Sequence, residues 1–320
     1  MTSNVSRLEP RRTEDGSFSL FSPEVGEGFH SGRGALAEAW SKFVAPAELE
    51  RWPPGRCLRV LDVCVGTGSN TAALLEAAQH NQLKLEWWGL ELDPDPLRLA
   101  LADGPFRQQW QPAALDILQQ LQLPERETGG ISRWEHPGLG RGQLLWGDAR
   151  DQLPALLEEE TGRLDLVLMD AFSPSRCPQL WTVEFLGGLA ALLAPEGRLL
   201  TYCSAAAVRQ ALVLADLHLA SIAAPSGLRK QNHDWSGGTA ASPKPLSDAP
   251  LLRPLSAMEQ EHLCTNAAEP YRDPSFSAER GVILRERQRA QQLAMERGGV
   301  EATSSWRRRW GLCGEISNHQ

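Results

Sequence analysis

The sequence predicts an α/β chain built on a doubly wound, mostly parallel sheet, followed by a mainly helical C-terminal extension. Three observations carry that prediction. Leu58-Arg-Val-Leu-Asp62-Val-Cys-Val65 is an apolar, β-branched run of strand length that breaks into Gly66-Thr-Gly68-Ser-Asn70 and then into the helical Thr71-Ala-Ala-Leu-Leu-Glu76. Strand-like and helix-like segments then alternate as far as Ala223, the rhythm of a sheet with helices on both faces. Four of the apolar runs end at or beside an acid, namely Asp62, Glu91, Asp148 and Asp170. In an open α/β sheet the carboxyl ends of the strands border one ligand crevice, so the four acids are expected to face it.

Residues 1–20 read as a loose lead-in with a polar turn at Arg11–Ser17, and Phe21–Gly32 as a glycine-rich loop that gathers Glu27, His30 and Ser31. Ala35, Leu36, Ala39, Trp40 and Phe43 give a helical spacing over Gly34–Val44. Leu85–Glu91 is a second strand, and Pro94–Ala102 the helix after it, which Asp93 or Asp95 is expected to cap. Residues 104–142, rich in Gln, Pro and Gly, read as a helix and a loop before the third strand at Gln143–Trp146. Leu164–Met169 is a buried-strand run. Trp181–Leu193 and Ala205–Ala215 read as helices, and Gly197–Cys203 and Leu217–Ala223 as strands. Past Pro225 the texture changes to Gly, Pro and Ser, and the chain ends in a charged helix at Glu279–Arg297 and in Trp306-Arg-Arg-Arg309-Trp310. Those last arginines and tryptophans suit either RNA contact or anchoring of the tail, with anchoring preferred. The expected division is a lead-in, loop and helix over 1–57, a catalytic domain over 58–243 and the extension over 244–320.

Composition narrows the class. At 42% apolar and 22% charged residues the chain has the makeup of a globular protein with ample material for a core. No apolar run approaches the roughly 20 residues that span a bilayer, and Met1–Arg12 lacks the apolar centre of a secretion signal, so a cytoplasmic location is expected. Six scattered cysteines, with no C-x-x-C, suggest neither a disulfide framework nor a metal site. A net charge of −8 argues against broad attraction to nucleic acid, so any such contact must use a local basic patch.

The glycine turn points to a nucleotide-type ligand, since glycines let the backbone approach it and the new helix presents its amide groups. The turn lacks the third small residue of a dinucleotide fingerprint, because Thr71 stands there, and no Lys-Ser/Thr follows as in a Walker loop. Asp62, late in the strand, suits a cationic or hydroxyl-rich ligand where a phosphate would be repelled. S-adenosylmethionine, a sulfonium with an amino acid tail, meets those needs. Glu91 stands where a ribose diol is usually gripped, and Asp148 where an adenine amino group finds an acceptor unless it caps the next helix.

With Asp62-Val-Cys-Val-Gly66-Thr-Gly68-Ser-Asn70, Glu91 and Gly147-Asp148, the chain resembles the class I S-adenosylmethionine-dependent methyltransferases, which have a Rossmann-like sheet. Asp170-Ala-Phe172-Ser-Pro174, Pro178-Gln-Leu-Trp181, Gly197–Tyr202 and Gly227-Leu-Arg229-Lys230 make roughly Phe18–Ala241 similar to the MnmC methyltransferase-domain family. That resemblance implies transfer of a methyl to the primary amine of a 5-aminomethyl-(2-thio)uridine at the wobble position of tRNA. It implies Asp170 as the catalytic group and Asp62, Gly66, Thr67, Gly68, Asn70, Glu91, Asp148 and Ala149 around the cofactor. Glu27, His30, Phe172, Pro174 and Trp181 would shape the substrate site, with Arg229 and Lys230 on the anticodon-loop backbone. His30 reads equally well as a loop histidine, and Trp181 as core packing.

A free-standing enzyme is expected, without the FAD-dependent oxidoreductase half of the two-domain form, and with an upstream enzyme supplying the aminomethyl uridine. Neither metal nor membrane contact is expected. The competing readings are a spermidine synthase-like aminopropyltransferase, a small-amine methyltransferase, and a non-catalytic ligand-binding module. The second acid that polyamine binding would place close behind Asp170 is absent.

Overall fold

The computed structural model describes residues 8–123, 130–223, 237–246 and 251–312, and the chain divides into two compact units. The first comprises Met1–Gln152 and Leu164–Phe172; the second comprises Leu153–Arg163 and Ser173–Gln320.

The first unit opens with β1 (Glu9–Arg12), β2 (Phe18–Ser22) and β3 (Glu27–Gly28), a small antiparallel sheet in the order β1-β2-β3. This corrects the loose lead-in and connecting loop expected there. Asp15-Gly16 closes the hairpin, with Gly16 at φ +79° and its N–H donating to the Thr13 carbonyl at 2.9 Å. The strands escape a pattern search because β2 is only five residues long and buries Ser19 and Ser22 along with Phe18 and Leu20. Phe18 packs edge-on against Phe106, and Arg12 pairs with Asp103 at 2.6 Å. The expected helix at Gly34–Val44 is present, but in pieces: α1 (Ala35–Glu38), a wide π-turn at Ala39–Val44, and α2 (Ala45–Ala47).

Then come β4 (Cys57–Val63), α3 (Ser69–His80), β5 (Lys84–Glu91), α4 (Asp95–Ala102), α5 (Gly104–Gln108), α6 (Pro112–Gln120), β6 (Gly130–His136), β7 (Gly140–Trp146), α7 (Ala149–Glu160) and β8 (Leu164–Met169). Helix α7 leaves the unit at Gln152. The strands run in the order β8-β4-β5-β7-β6. All pairs are parallel except β6–β7, a hairpin where a loop was expected. Its strand β6 buries only Ser132 and Trp134 and sits at the sheet edge, so its sequence gives a weak signal. Strand β8 is buried at every residue.

The second unit holds α8 (Val183–Leu192), β9 (Leu193–Thr201), α9 (Ala206–Leu214), β10 (His218–Ile222), β11 (Gly238–Ser242) and β12 (Leu252–Arg253). Its strands lie in the order β12-β10-β11-β9, and each pairing is antiparallel. Strand β11, Gly-Thr-Ala-Ala-Ser, is wholly buried yet carries no large apolar residue, which hides it from a sequence reading.

Three helices follow, α10 (Ala257–His262), α11 (Arg280–Arg297) and α12 (Thr303–Arg309). The tail is anchored as expected: Trp306 is buried and stacks on His262 at 4.3 Å, and Trp310 Nε1 donates to Glu261 at 2.7 Å. Among the described residues no helix is long and apolar enough to cross a membrane.

Candidate active site

The glycine turn is shaped by backbone conformations that side chains resist. Gly66 lies at φ +55° and Gly68 at φ +81°. A β-carbon on Gly68 would come within 2.9 Å of a Leu118 methyl and 3.1 Å of a Leu97 methyl, so the turn can bring its backbone against α4 and α6 only with glycine there. Cys64 at φ +67° marks the same tight exit from β4. Helix α3 starts directly after Gly68, with Thr67 and Ser69 hydroxyls bonded to each other at 2.9 Å.

Asp62 is 0% exposed. Its Oδ2 accepts from the Thr71 hydroxyl at 2.7 Å, while its Oδ1 is buried with no hydrogen-bond partner. Burial pushes the carboxyl up to about 7, with the Thr71 bond opposing and the Glu91 charge adding to the rise. A buried oxygen without a donor is costly, and a hydroxyl or amino group of a bound ligand would satisfy it.

Glu91 ends β5 and ties it to the turn. Its Oε2 accepts from the Gly66 N–H at 2.7 Å, and its Oε1 from the N–H groups of Leu92 at 2.8 Å and Asp93 at 2.9 Å. Burial still raises its pKa, against those three bonds. The neighbouring Asp93 accepts from the Asp95 N–H at 2.9 Å, but the N-cap position of α4 falls to Pro94, which makes no side-chain cap bond, so neither Asp93 nor Asp95 is the expected cap. Asp148 behaves as the helix-start alternative anticipates. Its Oδ1 accepts from the Arg150 N–H at 2.9 Å, and the Arg150 guanidinium reaches its Oδ2 at 2.8 Å, while Ala149 is buried at the first turn of α7.

Asp170 follows β8 directly and is half-buried. The Asn70 side-chain amide donates to its Oδ2 at 2.7 Å, so a residue expected beside the cofactor also orients the expected catalytic carboxylate. Burial pushes the Asp170 carboxyl up to about 8, with the Asn70 bond opposing and the charges of Glu38 and Asp62 adding to the rise.

Phe172 meets Phe29 edge-on, with ring centroids 5.0 Å apart. Phe29 also lies 3.4 Å from where a Gly66 β-carbon would stand, so one ring touches both the glycine turn and the segment after Asp170. The loop after β3 thereby belongs to the site. His30 Nδ1 pairs with the Ser19 hydroxyl at 3.0 Å, and burial lowers the His30 pKa, opposed by the charges of Glu38 and Asp15. Glu27 lies in β3, opposite Ser22.

Phe29 and Glu38 are the residues that sequence reading passes over. Phe29 stands beside His30 in a loop already marked by composition. Glu38 looks like an ordinary helix-surface acid, yet its Oε2 accepts from the Ser31 N–H at 3.0 Å and its charge bears on Asp170.

Two further expectations fall in the second unit. Pro174 is buried, and Trp181 is 0% exposed, edge-on to Tyr202 with centroids 6.2 Å apart. A fully buried ring has no free face for a base, so Trp181 occupies the packing position that was its alternative. Arg229 and Lys230 lie outside the described residues.

Residues 122–231 match a family model described as S-adenosyl-L-methionine-dependent methyltransferase. Among curated proteins, the bifunctional protein MnmC of Burkholderia vietnamiensis, named for tRNA 5-methylaminomethyl-2-thiouridine biosynthesis, is 30% identical over 220 residues. That match takes in 63% of this chain and 31% of the relative. An uncharacterized protein of Methanocaldococcus jannaschii is 30% identical over 202 residues, 63% of this chain and 52% of its own length. The chain thus spans about a third of the bifunctional relative and about half of the archaeal one. A crystal structure of MnmC2 from Aquifex aeolicus superposes with a TM-score of 0.70 at 27% identity, covering 92% of this chain and 88% of that one. Coverage of that extent takes in part of the 244–320 extension as well.

Proposed function

We propose that this chain, an S-adenosylmethionine-dependent methyltransferase, methylates the primary amine of a 5-aminomethyl-(2-thio)uridine at the wobble position of tRNA. The observation that carries the reading is the carboxyl group of Asp170, fixed by Asn70 at the end of β8 and raised to about 8. It stands beside an aromatic pair that reaches the glycine turn. The bifunctional relatives, named for tRNA 5-methylaminomethyl-2-thiouridine biosynthesis, favour the same acceptor.

S-adenosylmethionine supplies an electrophilic methyl group on a sulfonium. The chain's own task is alignment, because an in-line displacement needs the amine nitrogen, the methyl carbon and the leaving sulfur on one axis. In this reading Asp62 Oδ1 would take a donor from the cofactor and the Gly66–Gly68 backbone would face it, while Glu91 holds the turn closed through the Gly66 N–H. Asp170 receives the substrate amine through an N–H. An ammonium has no lone pair to attack with, and the ionised form of Asp170, its pKa raised to about 8, is a stronger base than an ordinary aspartate for the proton that must leave. The nitrogen–carbon bond then forms as the carbon–sulfur bond breaks, with that electron pair staying on sulfur. Phe172 and Phe29 wall the acceptor side, where an extruded base can stack.

The test is incorporation of labelled methyl into bulk tRNA lacking the terminal methyl, with nucleoside mass analysis. A gain of one methyl on the aminomethyl uridine is expected. Cofactor binding without incorporation, together with transfer to polyamines or small amines, would overturn the acceptor.

A further inference from the structure

Helix α11 carries arginines that the proposed chemistry does not use. Between Arg280 and Arg309 the chain holds eight arginines against three glutamates, within a stretch, Leu255–Gln320, whose nine arginines and nine acids balance. Helix α11 is held down by one side only. Ile283 is buried, Arg287 donates to the carbonyls of Glu269 at 2.7 Å and Ala267 at 2.9 Å and lies over the Tyr271 ring, and Gln291 donates to the Asn266 carbonyl at 2.8 Å. Those positions are spaced i, i+4, i+8, a single stripe. Arg285 and Arg289 lie on the opposite side and are exposed.

The N-terminal end of the helix is tied to a particular place. Arg280 Nη2 donates to the Ser175 carbonyl at 3.2 Å, five residues along the chain from Asp170, and the next residue, Arg176, is exposed. The Arg285 guanidinium turns back toward this end, with Nη1 3.3 Å from where a Gly281 β-carbon would stand. Arg285 and Arg289 face solvent on either side of the exposed Glu286, and Arg280 joins them at the N-terminal end from the packed side.

We infer that Arg176, Arg280, Arg285 and Arg289 form a phosphate-binding surface for the RNA that presents the acceptor base. The inference rests on the tRNA reading above and assigns that RNA a second contact, made through the backbone. Exposed guanidinium groups bind phosphates without reading sequence, and release counterions as they do so. An acidic protein needs such a local patch if its net repulsion of RNA is to be overcome.

The experiment compares the full-length chain with the triple variant Arg280→Ala, Arg285→Ala, Arg289→Ala in binding bulk tRNA across a salt series, alongside S-adenosylmethionine binding and thermal melting. The variant is expected to bind tRNA at least ~10-fold more weakly, with the slope of log affinity against log salt reduced by about 2 to 3. Cofactor affinity and melting are expected to stay unchanged, and the corresponding triple lysine variant to recover most of the loss. Unchanged tRNA affinity and slope, with the wild-type chain still methylating tRNA, would overturn this surface and leave the acceptor reading standing. A wild-type chain that binds no tRNA would overturn both. Polyglutamate bound as tightly as tRNA, and lost equally in the triple variant, would overturn RNA in favour of an acidic polypeptide.

Discussion

Two buried carboxyl groups, one in each unit, have opposite fates. Asp62 in the first unit is 0% exposed, has one oxygen satisfied by Thr71 and the other without a donor, and titrates near 7. Glu259 in the second unit is 1% exposed, and burial pushes it up in the same way. Yet it is held down to about 2, because the charge of Arg209 and bonds from Ser256, Arg253 and Ser221 outweigh burial. The Oε1 of Glu259 accepts from Arg209 at 3.1 Å and from the Ser221 hydroxyl at 2.9 Å, and its Oε2 accepts from Arg253 at 2.7 Å and from the Ser256 N–H at 2.9 Å. Completed partnering marks a structural charge. The unpartnered Oδ1 of Asp62 suits a group that takes a donor arriving from outside.

The largest effect expected from this contrast is catalytic. Asp170→Ala should reduce methyl transfer about 10²–10⁴-fold while S-adenosylmethionine binds within a few-fold of wild type, measured by single-turnover kinetics and calorimetry. Transfer within a few-fold of wild type would make Asp170 a structural residue like Glu259.

Next in size is the structural pair. Arg209→Ala strands Glu259 in the interior, and about 3–5 kcal/mol of stability should be lost in urea unfolding. The folded pKa of Glu259, near 2, lies below its ordinary 4.5. Its contribution is therefore fully present above about pH 4.5 and is lost as pH falls toward 2. Glu259→Gln should flatten that acid limb, and an unaltered limb would contradict the network.

Asp62 should show the reverse slope. Its folded pKa is raised from 3.8 to about 7, so the native state holds a proton that the unfolded chain has released, and stability should fall as pH rises between those values. The slope from one such group is at most about 1.4 kcal/mol per pH unit. Asp62→Asn should remove it, as followed by denaturant titrations at pH 4, 5.5 and 7. A saturating cofactor that donates to Asp62 should weaken the slope as well.

Smallest is the effect of Trp181→Phe. Packing against Tyr202 predicts a loss of about 1–2 kcal/mol in stability with unchanged KM for tRNA. A rise in KM without destabilisation would instead return Trp181 to the base-binding wall.

The fold of the first unit was legible where the physics is local. A β-branched run before Gly66 and Gly68 can hardly be other than strand, turn and helix, and the acids at Asp62, Glu91 and Asp170 follow from the strand ends. Strands β1, β2, β6 and β11 were not legible, because each gains its stability from a neighbour rather than from its own pattern: Trp134 alone anchors the centre of β6, and the small residues of β11 fit only because other strands lie close on both sides.

The sequence by itself determined the chemistry on offer, namely a glycine turn, four carboxylates at strand ends and an aromatic segment after Asp170. Those depend on residue type and on separations of a few residues, which local backbone preference settles. Only the tertiary structure decided how each group is used: that Asn70 serves Asp170, that Glu91 holds Gly66, that Phe29 reaches across from an N-terminal sheet, and that Glu259 is neutralised where Asp62 is not. Those outcomes turn on partners 25 to 143 residues away, as with Gly66 and Glu91 or Phe29 and Phe172, and on burial, which no short stretch of chain encodes.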